Sequence, residues 1–353
     1  MPIGLSIILC CHNSADRLPQ TLAHLSAQRV PEDVRWEVIV IDNASTDQTA
    51  MVAQSVWPSN HAANLRVVHE PKLGLSFART RGVEESAYDF VGFVDDDNWL
   101  SPDWVQTALK VLSRNPQIGA CGGFIEAIYE ATPPSWFELH KGGYAPGAQG
   151  QEEGGDVTWR GFLMGAGLLM RKNIWEQIWS LGFRQLLVDR QGSGLTAGGD
   201  HEICLAIRLA GWRLWYEPQL HLGHFLPAKR LDWALLRKQA RGAGMCEAGL
   251  DPYWFTIRDE TVSHTTFGRV AQHLKESWLF QILISLGHLA RHPLKLAQSK
   301  FCLFEGDHQV VWLEREIGRL QGLLERRHSY HANLRSIRRA AWRNTASFQE
   351  PLP

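Results

Sequence analysis

The run Asp95-Asp96-Asp97-Asn98 follows Phe90-Val91-Gly92-Phe93-Val94, so the sequence predicts an acidic turn at the end of a strand. Three adjacent carboxylates repel one another unless a cation or hydrogen-bond donors offset them. Mn²⁺ or Mg²⁺ does so while also taking phosphate oxygens, which neutralises a diphosphate leaving group. The competing reading is a solvated turn that caps the helix after Pro102. A second acidic centre, Gly198-Gly199-Asp200-His201-Glu202, precedes apolar residues at helical spacing. Asp200 is an N-cap candidate there, and a carboxylate at such a Gly-rich loop also suits proton removal from a hydroxyl.

Other chemistry-bearing residues fall at similar places. Asp42 follows Val38-Ile39-Val40-Ile41 and is either a ligand-facing carboxylate or the start of an Asx turn. Cys11 and Asn13, in Cys11-His12-Asn13, end the first apolar run and join it as binding candidates. Residues 74–82 open a helix with Gly and Ser, so free N–H groups and the Arg79 guanidinium either face phosphate or belong to a solvated surface helix. His224 closes the last extended segment, as a metal ligand or as a satisfied core histidine. Cys10 and Cys11 point to opposite faces of a strand, which favours burial over a zinc site.

These residues need a frame. Apolar runs at 5–9, 37–41, 65–69 and 90–94 alternate with amphipathic stretches at 17–27, 46–56 and 75–86, a βαβαβαβ pattern. That pattern predicts an α/β fold with a mainly parallel, doubly wound sheet whose ligands sit beyond the carboxyl ends of the strands. Further on, the sequence predicts a helix at 103–115, strand material at 118–129 and an irregular Pro/Gly-rich loop at 132–156. It then predicts a buried strand at 165–170, a helix at 173–180, a flexible loop at 191–199, and short extended pieces at 213–217 and 219–224. From 231 the spacing is helical, with breaks near Gly249 to Pro252 and Arg291 to Pro293. The expected organisation is a domain at 1–230 and a helical C-terminal appendage at 231–353.

Composition narrows the class. With 36 Lys and Arg against 37 Asp and Glu, the formal charge of -1 gives no field for nucleic acid. The six cysteines are scattered and form no disulfide framework, which predicts a reducing cytoplasm. No basic leader or cleavage site precedes the first strand, and no apolar stretch is long enough to span a bilayer. Fifteen tryptophans suit sugar-stacking surfaces or core packing equally. The first turn carries no G-x-G-x-x-G loop, which excludes a dinucleotide-dependent oxidoreductase.

Taken in order, the motifs resemble glycosyltransferase family 2, inverting enzymes of GT-A fold, over residues 5–230. The residues that carry the resemblance are Asp42 in Val-Ile-Asp-Asn-Ala-Ser-Thr-Asp, the Asp95-Asp96-Asp97 block, and Gly-Gly-Asp-His-Glu with Gly211-Trp212 and Tyr216-x-Pro218 downstream. Phe137, Tyr144-Ala145-Pro146-Gly147 and Gly165-Ala166-Gly167 look like bacterial exopolysaccharide-type members. The resemblance implies a nucleotide-sugar half at about 1–130 and an acceptor half at about 131–230. By the same resemblance Asp42 accepts the base N–H of a uracil-like nucleotide, Asp95 contacts ribose, and Asp97 binds Mn²⁺ or Mg²⁺. Arg79 then lies near the phosphates, Asp200 is the catalytic base, and His224 approaches the metal. The family's base follows a Glu, but Gly199 stands here, which leaves Asp200 and Glu202 as candidates with Asp200 in the aligned place. The expected partners are a nucleoside-diphosphate sugar and a glycan or lipid-linked acceptor, with no nucleic acid. The Arg-rich end and residues 278–283 add an expected peripheral contact with the inner membrane face. A carbohydrate-binding or scaffold protein on a degenerate transferase fold is the non-enzymatic alternative.

Overall fold

The computed structural model describes residues 4–187, 198–259, 272–293 and 305–346. Strands β1 (Leu5–Cys11), β2 (Trp36–Asn43), β3 (Asn64–Glu70) and β4 (Phe90–Val94) lie parallel in the order β3-β2-β1-β4. Helices α1 (Leu18–Ser26), α2 (Thr49–Val56) and α3 (Leu75–Glu85) make the crossovers. The central strands are largely apolar because helices cover both faces, and among the buried exceptions Ser6 donates to Glu37 at 2.8 Å. Ile8, Ile39 and Ile41 enter one core cluster, while Ile7, Leu9, Val38 and Val40 enter the other, as the twofold alternation of a strand requires. Register aligns Cys11 with Asp42 and Asp42 with His69, so the polar strand ends share one sheet edge.

Beyond β4 the chain forms β5 (Asn98–Leu100), α4 (Trp104–Arg114), β6 (Ile118–Tyr129), α5 (Phe137–His140) and β7 (Gly155–Asp156). It continues through β8 (Leu168–Arg171), α6 (Lys172–Ser180), α7 (Gly199–Leu209) and β9 (Arg213–Leu226). The full order is β3-β2-β1-β4-β8-β6-β9-β5, with β7 paired to β9. The sheet is therefore mixed. Parallel pairing holds for β3-β2-β1-β4 and for β6 with β9, whereas β8, β5 and β7 join antiparallel.

Local departures from the sequence reading have physical causes. The two extended pieces expected at 213–224 are one strand, because β6 supplies a parallel partner along the length of β9 and absorbs the irregularity with register shifts. Within the expected loop at 132–156, Trp136, Phe137 and Tyr144 bury against Leu226 and Trp233 and fix α5 and a following 3-10 turn. The loop expected at 191–199 lies mostly outside the described residues.

The C-terminal region comprises α8 (Trp233–Asp259), α9 (Trp278–Ala290), α10 (His308–Glu325) and α11 (Tyr330–Arg338). The break expected near Pro252 is absent. Proline in a helix interior costs about 3 kcal/mol, but Ala248, Leu250, Tyr253, Phe255 and Ile257 are buried around it and tertiary packing prevails. Cys246, Leu250, Tyr253 and Ile257 of α8 share a core cluster with Ile203 to Leu209 of α7, and Trp342 packs edge-on against Phe183. The Arg-rich end is not one solvated basic face: Arg315 pairs with Glu247, Arg319 with Asp251, and Arg338 with Asp259 and Glu276.

Candidate active site at the carboxyl edge of the sheet

The turn after β1 and the turn after β2 are tied together. Asn13 adopts a left-handed conformation at φ 52°, its N–H donates to the Ser45 hydroxyl at 3.1 Å, and its Oδ1 accepts from the Thr46 N–H at 2.8 Å. The Asn43 side chain bonds the carbonyls of Glu70 and Lys72 and accepts the Gly74 N–H, which anchors the loop that leads into α3. Asp42 lies on this platform, its carboxylate 3.5 Å from His69 Nδ1 and accepting the Ser45 N–H at 3.3 Å. Cys11 is buried, and burial first, then Asp96 and Cys10, push its thiol well above the ordinary value. That keeps it a neutral packing residue, not a nucleophile.

The three aspartates have different surroundings. Asp95 closes the turn through its backbone: its N–H donates to Asn98 Oδ1 and its carbonyl accepts the Asn98 N–H, both at 3.0 Å. Asp96 points back to α1, where Arg17 donates to it at 2.6 Å and Thr21 Oγ1 donates to its carbonyl at 2.8 Å. Asp97 is buried and faces the last strand. Pairing of Asn98 with His224 across β5 and β9 brings the His224 imidazole to 3.5 Å from the Asp97 carboxylate. Arg230 completes the group, with one guanidinium nitrogen 3.2 Å from Asp97 Oδ2 and 3.2 Å from His224 Nε2. Burial by itself would raise the Asp97 carboxyl, but His224, Arg230 and Arg17 outweigh it and hold the group below the usual carboxylate value.

This donor set can be tested against a divalent ion. No group of three or more His, Cys, Asp or Glu is placed to hold a metal among the described residues. Mg²⁺-type sites use one or two protein carboxylates together with phosphate oxygens and water. Asp97 and His224 converge on one point that a cation, the Arg230 guanidinium, already approaches. Two such protein donors fit an ion that arrives with a nucleotide, and do not fit an all-protein cage.

Asp200 lies in the first turn of α7, and Gly198, at φ 147°, takes the cap position expected for it. That φ strains any residue with a Cβ, so the cap falls to glycine. Residues 165–167, expected as strand, instead turn so that the Gly165 N–H donates to Asp200 Oδ2 at 2.7 Å. A Cβ on Gly165 would lie 2.9 Å from the Arg79 guanidinium and 3.0 Å from Asp200 Oδ2, so both side chains converge there. Arg79 is buried, 5.6 Å above the Phe93 ring, at the end of β4. Burial raises the Asp200 carboxyl, but His201, Arg79 and two backbone N–H groups lower it further and keep it ionised.

Glu202 does not join Asp200. It is fully buried and accepts from the N–H groups of Leu186 and Leu187, the latter at 3.0 Å, and from Tyr253 Oη at 2.7 Å. Its carboxylate ties α7 to α8 and to the chain before residue 188. Sequence reasoning missed Arg17 and Arg230. Arg230 sits six residues after His224, but only the antiparallel pairing of β5 with β9 reveals which carboxylate it meets.

The chain thus combines a mixed α/β sheet that carries acidic residues at its carboxyl edge with a helix, α7, whose first turn presents the Asp200 carboxylate. The sequence model of Glycosyl transferase family 2 matches residues 6–179, and this region of the chain belongs to that family. The protein is a glycosyltransferase of GT-A fold. It is 28% identical over 248 residues to the succinoglycan biosynthesis protein ExoM of Rhizobium meliloti (strain 1021), covering 70% of this chain and 75% of that one. It is 25% identical over 174 residues to the glucosyl-dolichyl phosphate glucuronosyltransferase of Haloferax volcanii, covering 48% of this chain and 54% of that one. The chain thus spans about half the length of the second relative. The mannosyltransferase PcManGT of Pyrobaculum calidifontis, solved with GDP-Man and Mn²⁺, shares the fold with a TM-score of 0.52 at 16% identity, over 92% of this chain and 88% of that one.

Proposed function

We propose that the protein transfers a sugar from a nucleoside diphosphate, UDP-linked, to an acceptor hydroxyl with inversion, in polysaccharide or glycan synthesis. The observation that carries this reading is the convergence of Asp97, His224 and Arg230 at one end of the site. Asp200 is held ionised against Gly165 beside the end of β4. Residues 1–130 form the donor side and 131–230 the acceptor side. Asp42 accepts the base N–H, Asp95 contacts ribose, and Asn13 shapes the wall between them. Asp97 and His224 would hold Mn²⁺ or Mg²⁺, which when bound neutralises the departing diphosphate.

The chain's own residues do the rest. Asp200 takes the proton of the acceptor hydroxyl as its oxygen bonds to the anomeric carbon. The bond from that carbon to the phosphate oxygen breaks, and the electron pair leaves with the nucleoside diphosphate. Arg79 keeps the Asp200 carboxylate charged until the proton arrives. Glu202 positions α7 and touches no substrate. The acceptor is a glycan or a lipid-linked glycan met at the cytoplasmic membrane face. Hydrolysis of a panel of nucleotide sugars, measured with and without Mn²⁺, tests the reading. Metal-dependent release of nucleoside diphosphate supports it, and no turnover with any donor favours a carbohydrate-binding protein on the same fold.

A further inference from the structure

Helix α9, Trp278–Ala290, packs Ile282 and Trp278 against the C-terminal core together with polar Gln281 and Ser285, and leaves three of its leucines outward. Gln281 and Ser285 are buried. Gln281 accepts from Arg319 at 2.7 Å and donates to the Lys275 carbonyl at 2.6 Å, and His288 meets Glu316 at 3.0 Å. On the other side Leu279, Leu283 and Leu286 are 60%, 57% and 46% exposed. Positions 279, 283 and 286 follow i, i+4, i+7 spacing, so they form one stripe, and Phe280 and, ahead of the helix, Leu274 are exposed as well. A surface helix ordinarily shows the reverse polarity, because exposed leucines forgo the burial that stabilises the fold.

The charges at the two ends of the helix are basic, and Glu316 beside it is taken up by His288. Lys275 and Arg291 flank the stripe, and the sequence that follows carries Lys295 and Lys300 with no carboxylate before Glu305. The adjacent acid, Glu276, is buried and bonded to Arg338 at 2.7 Å. No helix among the described residues is long and apolar enough to cross a membrane. We propose that the Leu279, Leu283 and Leu286 stripe of α9 docks this protein on an anionic lipid surface, with the helix lying in the plane of the interface. An apolar stripe rimmed by lysine and arginine matches such a surface in both terms, hydrocarbon and charge. The inference extends the lipid-linked acceptor reading but rests on α9 alone.

The test is vesicle flotation of the full chain, with phosphatidylcholine alone and with added phosphatidylglycerol, at low and high salt. The native protein should float with the anionic vesicles and less with neutral ones or at high salt. The triple variant Leu279→Ser, Leu283→Ser, Leu286→Ser should lose roughly tenfold or more of the bound fraction. Its thermal midpoint and its donor hydrolysis without lipid should stay unchanged, which separates docking from catalysis. A native protein that stays unbound to anionic vesicles overturns the proposal, as does a triple variant that floats like the native chain. Light scattering that shows a native dimer and a monomeric triple variant, without vesicle binding, assigns the stripe to self-association instead.

Discussion

His224 Nε2 lies 3.5 Å from Asp97 Oδ2 because Asn98 and His224 are partners in the short antiparallel pairing of β5 with β9. Loss of the carboxylate leaves His224 and Arg230 without the anion they share. Asp97→Ala should therefore lower kcat/KM by roughly 10²–10³-fold. Titration calorimetry should show the metal-dependent part of nucleoside diphosphate binding gone. Retention of full Mn²⁺-dependent binding in the variant would remove Asp97 from the metal site.

Asp200 should behave differently. Its carboxylate is charged and held by Gly165, so Asp200→Asn keeps the shape and loses the base. Turnover should fall about 10²–10⁴-fold while donor affinity changes little. A variant with both quantities unchanged would exclude Asp200 as the base.

Glu202 gives the contrast. Glu202→Ala strands the N–H groups of Leu186 and Leu187 and the Tyr253 hydroxyl in the core. Each unsatisfied buried donor costs about 1–3 kcal/mol, so urea unfolding should show a loss of several kcal/mol. Tyr253→Phe removes a single donor and should lose only about 1–2 kcal/mol. A Glu202→Ala protein of native stability and low turnover would reverse the assignment and make Glu202 a catalytic residue.

The pH dependence of stability follows from the same groups. Asp97 and Asp200 hold their carboxyls below the ordinary value, so in mild acid the unfolded chain binds protons there that the folded chain does not. Their contribution is fully present above the ordinary carboxylate pKa, about 4, and is lost as pH falls through the lowered folded values. Asp251 works the other way, because burial outweighs Arg319 and Tyr330 and raises its carboxyl. Thermal midpoints from about pH 6 down to about pH 3 should fall steeply for the native protein. They should fall less steeply for Asp200→Asn, and equal slopes would contradict the depressed Asp200 carboxyl.

What the sequence could reveal depended on distance along the chain. The parallel strands and the aspartates at their ends were legible, because apolar periodicity and strand-end polarity are local signals. The divided roles of Asp95, Asp96 and Asp97 were not, since Arg17, His224 and Arg230 reach them through folding. The cap at Gly198 in place of Asp200, and the continuous α8 through Pro252, were hidden for a related reason. In both, packing or backbone conformation overrides residue propensity.

Two glycines test how closely the C-terminal helices depend on their mutual approach. A Cβ on Gly244 of α8 would lie 1.9 Å from the Arg315 carbonyl oxygen of α10, and one on Gly318 would lie 1.9 Å from the Arg241 carbonyl oxygen. Neither obstacle is a flexible side chain end, so the helices must separate to admit a methyl group. Separation would also strain Glu314, which is buried and receives both Arg237 and Arg241 across that contact. Alanine normally favours a helix over glycine by about 1 kcal/mol, and overpacking costs about 1–3 kcal/mol or more. The steric term should win at both sites, so Gly244→Ala and Gly318→Ala should each lower the thermal midpoint. Gly287 of α9 has nothing within 4 Å of an added Cβ, so Gly287→Ala should leave the midpoint unchanged or raise it. If all three substitutions stabilise the protein, the close approach of α8 and α10 is not what the fold requires.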